Sequence, residues 1–395
     1  MSKWTKVRLG DCCEITSSKR CHLSDRVKVG VPFYRSKEII QRFNGESIEE
    51  CDCIEESTYL EIERRYGVPK SGDLLVTTRG SVGVPCLYTE KDRFYFADGN
   101  LTWFRNFKPS LNSGYLYYWF QSSVGRHAVT SIAVGTAQLA VPISGLKLTE
   151  ILLPPIERQR KVSEILSDYD SAIDNARRQI ALLEEAAMRL YREWFVVHTD
   201  QKWENGAVRK WFEITIGRTP PRKIAANFSE SATDQKWCSI KDLQNSNIFI
   251  SETAEMLTKQ GVESSKIHIS PAGTIFLSFK LTVGKVAITL EPMATNEAIA
   301  HFETTDRALR DYTYCYLHEF QYDTLGSTSS IGKAINSEIV RDMPFVMPDA
   351  KTLTRFSDMV SPIFDQIQNS VVFIRTLTEA RDRLLPKLMS GEVSV

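Results

Sequence analysis

The chain has 395 residues, of which 42% are hydrophobic and 25% charged, and its formal net charge is zero. This length leaves room for two or three domains with cores of their own, and the composition is ordinary for a globular protein. Balanced charge argues against a protein that binds a polyanion over its whole surface. The first residues lack the apolar core of a signal peptide, and no apolar run approaches the ~20 residues that span a bilayer, so we expect a cytoplasmic protein without a membrane partner.

Residues 1–155 contain short apolar segments separated by glycine-containing turns, a pattern that predicts an α+β domain. In residues 33–39 and 72–83, an apolar strand runs into a turn with a basic residue and a hydroxyl. Five of the eight cysteines lie in the first 53 residues, but none forms the C-x2-C pair of a structural zinc site. We therefore expect reduced, buried thiols and no metal.

A long helix is predicted to follow residues 153–155, L-P-P. Its apolar or small residues recur at steps that alternate four and three, which is a heptad seam. The seam consists of Val162, Leu166, Tyr169, Ile173, Ala176, Ile180, Leu183, Ala187, Leu190 and Trp194.

The next segment, residues 199–349, repeats the first domain loosely. Residues 237–243 resemble 33–39, residues 273–284 resemble 72–83, and residues 293–297 resemble 96–100. A second long helix, residues 350–395, repeats the first without a gap at an offset of 194 positions. This period is too long for a solenoid repeat, whose periods are about 20–50 residues, so it indicates two copies of one domain, each followed by one helix.

The second seam is interrupted only at Ser370 and Arg381. It consists of Phe356, Val360, Ile363, Ile367, Ser370, Ile374, Leu377, Arg381, Leu384 and Leu388. Pro362 is expected to break or start this helix, and Pro386 to end it. Because each helix follows an equivalent domain, the two are expected to pack on each other in antiparallel orientation. About 30 helical residues would make a spacer of roughly 45 Å, longer than one turn of B-DNA, about 34 Å.

An extended partner with two separated recognition segments suits this design, and DNA is such a partner. Basic, hydroxyl and amide side chains on the turns are suited to contact phosphates or base edges, although each has a structural role in a turn as its alternative. The candidates in the first domain are Lys19, Arg20, Arg35, Lys37, Arg79, Ser81, Asn100 and Gln138. Those in the second are Arg218, Arg222, Lys223, Lys241, Lys280, Thr282, Asn296 and Lys333.

Catalytic motifs are not evident. Residues 326–333, G-S-T-S-S-I-G-K, place five residues between the glycines where a phosphate-binding loop has four, and Ala334 follows the lysine in place of a hydroxyl. The sequence also lacks the Asn/Asp-Pro-Pro-aromatic loop expected of an adenine methyltransferase. We therefore expect a protein that recognises DNA and has no catalytic residue or cofactor.

Residues 153–160, L-P-P-I-E-R-Q-R, and residues 380–392, A-R-D-R-L-L-P-K-L-M-S-G-E, give the chain its clearest resemblance. With the repeated heptad helix, it resembles a type I restriction–modification specificity subunit over essentially its whole length. The resemblance implies target-recognition domains at 1–155 and 199–349, a central spacer helix at 156–198 and a C-terminal spacer helix at 350–395. It implies an α+β fold of two tandem pseudo-symmetric domains whose spacer helices form an antiparallel coiled coil.

The resemblance also implies the partners. A subunit of this kind reads the two parts of a split, asymmetric sequence in double-stranded DNA. It docks modification methyltransferase subunits, expected to be two, and restriction/translocase subunits. S-adenosylmethionine, ATP and Mg²⁺ are expected on those partners rather than on this chain. The alternatives are a structural protein-binding adaptor, an enzyme with a cryptic motif, and the DNA-reading subunit of a methylation-only system.

Overall fold

A computed structural model describes residues 4–46, 48–136, 138–200, 202–325 and 335–395. The chain divides into two compact units, Met1–Asp174 together with Thr376–Val395, and Asn175–Arg375. Each unit therefore contains one globular domain and parts of both long helices. The domain boundaries predicted from the sequence stay predictions, because this division cuts through the helices rather than at their ends.

Among the described residues of the first unit, ten strands are arranged in three sheets. The strands are β1 Thr5–Arg8, β2 Glu14–Thr16, β3 Arg26–Val27, β4 Val31–Tyr34, β5 Asp52–Ile54, β6 Leu74–Thr77, β7 Pro85–Leu87, β8 Tyr95–Phe96, β9 Leu101–Arg105 and β10 Glu150–Leu153. The sheet orders are β1-β10, β2-β9-β6-β7 and β3-β5-β4-β8, and β4 and β8 are a parallel pair. The helices are α1 Leu9–Cys12, α2 Ser36–Asn44, α3 Glu56–Tyr66, α4 Ser113–Gln121, α5 Ser123–Ser131, α6 Ile143–Leu148 and the start of α7 Ile156–Tyr191.

The part of the second unit that the structure describes has eleven strands, also in three sheets. They are β11 Glu204–Ala207, β12 Ile214–Ile216, β13 Phe228–Ser229, β14 Gln235–Cys238, β15 Phe249–Ile250, β16 Glu255–Leu257, β17 Ile275–Ser278, β18 Val286–Thr289, β19 Ala294–Thr295, β20 Ile299–Phe302 and β21 Pro344–Met347. The sheet orders are β11-β21, β12-β20-β17-β18-β15 and β13-β16-β14-β19. Its helices are the end of α7, a π-helical turn at Arg192–Val197, α8 Ile240–Gln244, α9 Lys259–Ser265, α10 Arg307–Glu319, α11 Ser337–Arg341 and most of α12 Ala350–Ser390.

The sheet orders show that the second unit repeats the first strand by strand, with β15 added at one sheet edge. Helices α2 and α8 are even capped alike, since a carboxylate three residues into each helix accepts the backbone N–H of the residue before it. Glu38 accepts from Arg35 at 2.8 Å, and Asp242 accepts from Ser239 at 2.9 Å. The predicted α+β duplication is therefore confirmed.

One stretch of the predicted repeat is out of register by two residues. The sequence comparison set residues 96–100 against 293–297, but Phe33 pairs with Tyr95 where its equivalent Trp237 pairs with Ala294. Tyr95 is therefore equivalent to Ala294, and residue 96 to residue 295. Strands β8 and β19 have only two residues each, so they give the sequence comparison too little pattern to fix the register.

The long helices run antiparallel within the first unit. A guanidinium nitrogen of Arg381 lies 2.6 Å from a carboxylate oxygen of Asp170, and Arg158 donates to the carbonyl of Val393 at 2.7 Å. Contacts that move towards the start of one helix thus move towards the end of the other. The predicted antiparallel coiled coil agrees with this arrangement.

The heptad seams differ from residue to residue in burial. Five of the predicted packing residues are at most 2% exposed, namely Leu166, Ile173, Ile180, Val360 and Ile367. The others are partly exposed, namely Tyr169, Leu183, Leu190, Ile363, Ile374, Leu377 and Leu384. Around Ile363 in α12, the buried apolar side chains are those of Val360, Phe364 and Ile367, so the inward face passes through Phe364 rather than Ile363.

The prediction that Pro362 breaks the second helix and Pro386 ends it is wrong. Both prolines lie inside α12, which runs unbroken through 41 residues. A proline inside a helix costs ~3 kcal/mol, but both prolines are exposed and each directly follows a buried residue. Fully burying an apolar side chain such as Phe364 or Leu388 contributes ~1.5–3 kcal/mol, so the flanking residues together offset the proline cost.

The two motifs that carry the family resemblance meet in the first unit. Arg158 of the first motif lies 5.6 Å from the ring centre of Trp4, and that indole also contacts Gly391 of the second motif. Gln159 is buried and donates to the carbonyl oxygens of Ser110 and Pro154. These motifs therefore join the ends of the helices to the globular domain. None of the helices in the described ranges is long and apolar enough to cross a membrane.

Candidate nucleic-acid interface

In the first unit, the carbonyl oxygen of Asn100 joins two of the predicted turns. It accepts the backbone N–H of Thr78 at 2.8 Å and the hydroxyl of Ser36 at 3.3 Å. The turn after β6, the start of α2 and the loop before β9 therefore meet at one place. Lys37 and Arg79, the neighbours of these hydrogen-bonded residues, are both exposed.

Gln138 lies beside the same turn. Arg79 forms an isolated β-bridge with Ala140, and the N–H of Gly80 donates to the carbonyl of Leu139 at 3.0 Å. This pairing of two loops places the exposed Gln138 amide next to Gly80. Arg79 and Gln138, distant in sequence, thus occupy one surface.

The turn itself is fixed by its own hydrogen bonds. The Thr77 hydroxyl donates to the carbonyl of Ser81 at 2.6 Å, and the N–H of Gly83 donates to the carbonyl of Thr77 at 2.7 Å. Ser81 is exposed, so its hydroxyl is presented on a rigid turn. A turn held in this way presents its side chains with little loss of conformational freedom on binding.

The loop after β2 reaches the same region through its backbone. The N–H of Lys19 donates to the Tyr95 hydroxyl at 2.7 Å, while the Arg20 guanidinium donates to the Asp98 carboxylate at 3.0 Å. Lys19 extends over the ring of Tyr66, with 5.1 Å between its ammonium and the ring centre. Arg20 is thus held by an acidic partner, whereas the Lys19 ammonium lies against an aromatic ring and has no ion pair within the described ranges.

The second unit builds the same junction from different residues. The N–H of Arg218 donates to the carbonyl of Thr295 at 2.9 Å, whereas the N–H of Lys19, at the equivalent position, donates to the Tyr95 hydroxyl. The N–H of Phe279 donates to the carbonyl of Ala298 at 2.9 Å, as Thr78 does to Asn100.

Helix α8 is tied to the turn after β17. The side-chain amide of Gln244 donates to the Thr282 hydroxyl at 2.7 Å. This hydrogen bond brings the first turn of α8, which carries Lys241, towards the turn that carries Lys280. The side-chain oxygen of Asn296 accepts the N–H of Ala298 at 3.1 Å, so this amide is partly engaged in its own loop.

Three of the predicted DNA-contacting arginines make ion pairs within the protein. Arg222 is held by both oxygens of Glu255, at 2.6 and 2.9 Å, and stacks on the rings of Phe228 and Trp237. Arg35 lies 3.7 Å from a carboxylate oxygen of Asp52, and Arg20 is held by its aspartate as described above. A fourth arginine, Arg218, donates to a backbone carbonyl, that of Ser265, at 2.9 Å.

The remaining predicted cations are exposed, and the described ranges provide none of them with an ion pair. They are Lys19, Lys37 and Arg79 in the first unit and Lys223, Lys241 and Lys280 in the second. Charges that are not neutralised within the protein are available to neutralise phosphates. Lys333 lies outside the described residues.

A histidine cluster in the second unit has the composition of a metal site. Ligand atoms of His268, His301 and Glu303 lie within 4.8 Å of one another. However, both ring nitrogens of the buried His301 face threonine hydroxyls, Thr215 at 2.9 Å and Thr295 at 2.6 Å. Burial lowers the pKa of His301 to about 3, so this imidazole is neutral and already hydrogen-bonded. His301 is therefore explained as a hydrogen-bonded residue of the core, while the exposed His268 pairs with Glu303 at 2.6 Å.

Seven of the eight cysteines are buried. Burial raises the pKa of Cys13 to about 12 and that of Cys86 to about 11, so both thiols are protonated at neutral pH. A buried, protonated thiol is a poor nucleophile and a poor metal ligand. These residues fill the core, as their sequence pattern predicted.

Two residues at this surface were not predicted from the sequence. Gln244 ties α8 to the turn, and Leu281 lies at the tip of that turn with its side chain 95% exposed. Aligning residues 72–83 with 273–284 places Leu281 opposite Gly80. A leucine where the other copy has a turn glycine is a difference that the sequence alone shows. The hydrogen bond of Gln244 depends on loop geometry and left no such signal.

Comparison with known proteins adds independent evidence. Residues 1–185 and 200–370 match the sequence model of the type I restriction modification DNA specificity domain. The MjaIX specificity subunit of Methanocaldococcus jannaschii, a type I restriction enzyme subunit, is 25% identical over 352 residues, which cover 82% of this chain and 78% of that protein. The HindI specificity subunit of Haemophilus influenzae is 27% identical over 195 residues, 48% of this chain and 42% of that protein.

The fold is shared with a solved structure. The crystal structure of the type I restriction-modification S subunit from M. genitalium matches 98% of this chain and 96% of that one, with a TM-score of 0.58 and 13% identity. The two segments matched by the family model cover most of the chain. The chain therefore belongs to the type I restriction–modification specificity subunits, the non-catalytic DNA-recognition component of these systems.

Proposed function

We propose that this chain reads a bipartite, asymmetric DNA sequence, one part with each unit, within a type I restriction–modification complex. The observation that carries the proposal is the repeated junction of turns, which presents unpaired cations from equivalent segments of both units. Lysine and arginine side chains of this kind neutralise phosphates, and neighbouring amides and hydroxyls are suited to base edges.

The different residues at equivalent positions explain why the two parts of the target would differ. Where the first unit presents Arg79, Gly80 and Ser81, the second presents Lys280, Leu281 and Thr282. Donors, acceptors and apolar groups are what distinguish base pairs in the major groove. Two such sets on one chain would read two unlike segments.

The partners follow from the family. In our proposal the helices and domains dock methyltransferase subunits, two of them, and restriction/translocase subunits that make the complex a nuclease. S-adenosylmethionine, ATP and Mg²⁺ would be bound by those partners, and this chain would hold no cofactor. A subunit of such a complex would work in the cytoplasm, where the host DNA lies.

The proposal is tested by sequencing the adenine methylome of the host with and without this gene. Loss of methylation at one split motif is expected on deletion. Replacing residues 1–155 with the equivalent domain of another specificity subunit is then expected to change only one part of that motif, because each unit reads its own segment. A changed motif in both parts would contradict the division of labour. An unchanged methylome, with no methyltransferase co-purifying, would favour the protein-binding adaptor.

A further inference from the structure

Leu281 combines two unfavourable features at the tip of the turn after β17. Its side chain is 95% exposed, and its backbone has a φ of +62°. The left-handed region is strained for a residue with a β-carbon, and an exposed leucine gains nothing from burial. The equivalent residue of the first unit is Gly80, whose φ of +77° carries no such cost.

The other described non-glycine residues with positive φ have local explanations. Lys266 ends helix α9, a position where the left-handed conformation is common. Asn106 belongs to a residue type that tolerates this conformation, and its amide donates to Glu14 at 2.7 Å. Within the described residues, Leu281 makes no hydrogen bond or capping contact that would explain its positive φ.

The base of the turn is rigid. The N–H of Ser278 donates to the carbonyl of Lys285 at 2.9 Å, and the N–H of Gly284 donates to the carbonyl of Ser278 at 2.9 Å. The N–H of Lys285 also donates to the Ser278 hydroxyl, at 3.0 Å. Because the turn is fixed at its base, the exposed leucine is held in place rather than collapsing onto the protein surface.

The neighbours of Leu281 indicate the partner. Lys280 is exposed without an ion pair in the described ranges, and Thr282 is held towards α8 by Gln244. A turn with an apolar tip between a cation and a hydroxyl is complementary to a DNA duplex, in which phosphates lie on both sides of the base edges. The apolar group that a base pair presents in the major groove is the C5-methyl of thymine.

We infer that Leu281 is a specificity-determining residue of the second unit, which packs its side chain on a thymine methyl group of the target. This inference rests on the proposed function and adds one base-contacting residue to it. Strain at a residue that does not need it for folding is expected where a functional contact repays it.

The test uses the full chain co-purified with its modification subunits and a duplex carrying the methylated motif. Each thymine of the half-site read by the second unit is replaced in turn by deoxyuridine, which removes only the C5-methyl. The wild-type complex is expected to bind one substituted duplex about four- to tenfold more weakly, as the loss of one buried methyl implies. The Leu281→Gly variant is expected to bind that duplex and the unmodified one equally.

Leu281→Gly is a favourable test because it relieves the backbone strain, so its Tm is expected to be unchanged or higher. Lys280→Ala is the matched control next to it. This variant should weaken both duplexes while keeping the ratio between thymine and deoxyuridine.

The inference is overturned if the wild type shows no thymine dependence in this half-site, or if Leu281→Gly keeps the wild-type ratio. It is also overturned if Leu281→Gly loses its modification subunits while its thymine dependence stays intact. A wild-type complex that binds a duplex of unrelated sequence as tightly as the one carrying the motif would instead refute the proposed function itself.

Discussion

Arg381 occupies a position where the heptad pattern calls for an apolar side chain. Its guanidinium lies 2.6 Å from Asp170, and the Tyr118 hydroxyl donates to the other oxygen of the same carboxylate at 2.7 Å. Both members of the ion pair are about three-quarters buried. The apparent interruption of the seam is therefore a polar contact between the two long helices of the first unit.

Replacing Arg381 with leucine completes the apolar heptad pattern of the sequence but is expected to destabilise the protein. The substitution leaves the Asp170 carboxylate without its cation in a partly buried site, which costs about 1–3 kcal/mol. We expect the free energy of unfolding in urea to fall by that amount. Adding Asp170→Asn to Arg381→Leu should restore part of the loss.

Arg383→Leu is the control for this prediction. Arg383 lies on the same helix, its side chain is 81% exposed, and its ion pair with Glu379 is one turn away at 3.5 Å. An exposed pair of this kind contributes ~0.3–0.5 kcal/mol. If the two leucine variants were equally stable, the Arg381 contact would have no special role in joining the helices.

His301 makes stability depend on pH in a defined direction. Its pKa in the folded protein is about 3, because burial disfavours the imidazolium and the neighbouring His268 adds to this effect. The pKa of an unfolded histidine is ~6.5. Above pH 6.5 the residue is neutral in both states, and between pH 6.5 and 3 only the unfolded chain binds the extra proton. The free energy of unfolding should therefore fall on acidification by up to ~1.4 kcal/mol per pH unit.

The contribution of His301 is isolated by comparing wild type with His301→Gln. Both are unfolded in urea at pH 7, 6 and 5, and the wild type is expected to show the steeper loss of stability. Parallel curves for wild type and His301→Gln would show that the buried imidazole does not control this pH dependence.

At the scale of elements, the sequence predicted secondary structure best where a hydrophobic pattern extends over many residues. The heptad seams predicted both long helices because ten positions repeat in each. The heptad pattern predicted Ile363 as the packing residue, but Phe364 is the buried one. A small rotation of the helix is enough to bury one of two neighbouring apolar residues in place of the other. The proline prediction failed because it considered the local backbone cost without the burial of the residues around it.

The candidate interface was predicted less completely than the fold. The residue types and the turns could be found from the repeat, but the sequence could not show which cations are already paired. Arg222 and Lys223 are adjacent and looked equivalent, yet only Arg222 meets a carboxylate, that of Glu255 from strand β16. Which carboxylate an arginine meets depends on the register of the neighbouring strands. Two-residue strands such as β8 and β19 contain too little sequence pattern to predict that register.

At the scale of the whole molecule, the two long helices are the connections that our proposal assigns to the spacing of the DNA target. Helix α7 passes from one compact unit to the other between Asp174 and Asn175, and α12 does so between Arg375 and Thr376. Because both helices pass between the units, a change in one alone would shift its seam against the other. A test of the spacing role must lengthen both.

We expect that inserting one heptad into residues 173–180 and a matching heptad into residues 367–374 lengthens the unspecific spacer of the methylated motif. Seven helical residues add ~10 Å, and base pairs are ~3.4 Å apart, so the spacer should grow by about three base pairs. A heptad nearly preserves the phase of the seam, whereas two residues inserted into each helix rotate the rest of the seam by about 200° and provide the out-of-phase control, which should impair folding. Methylome sequencing reads the result directly. Since both recognition surfaces are untouched, the two specified parts of the motif should be unchanged, and an unaltered spacer would show that the helices do not set its length.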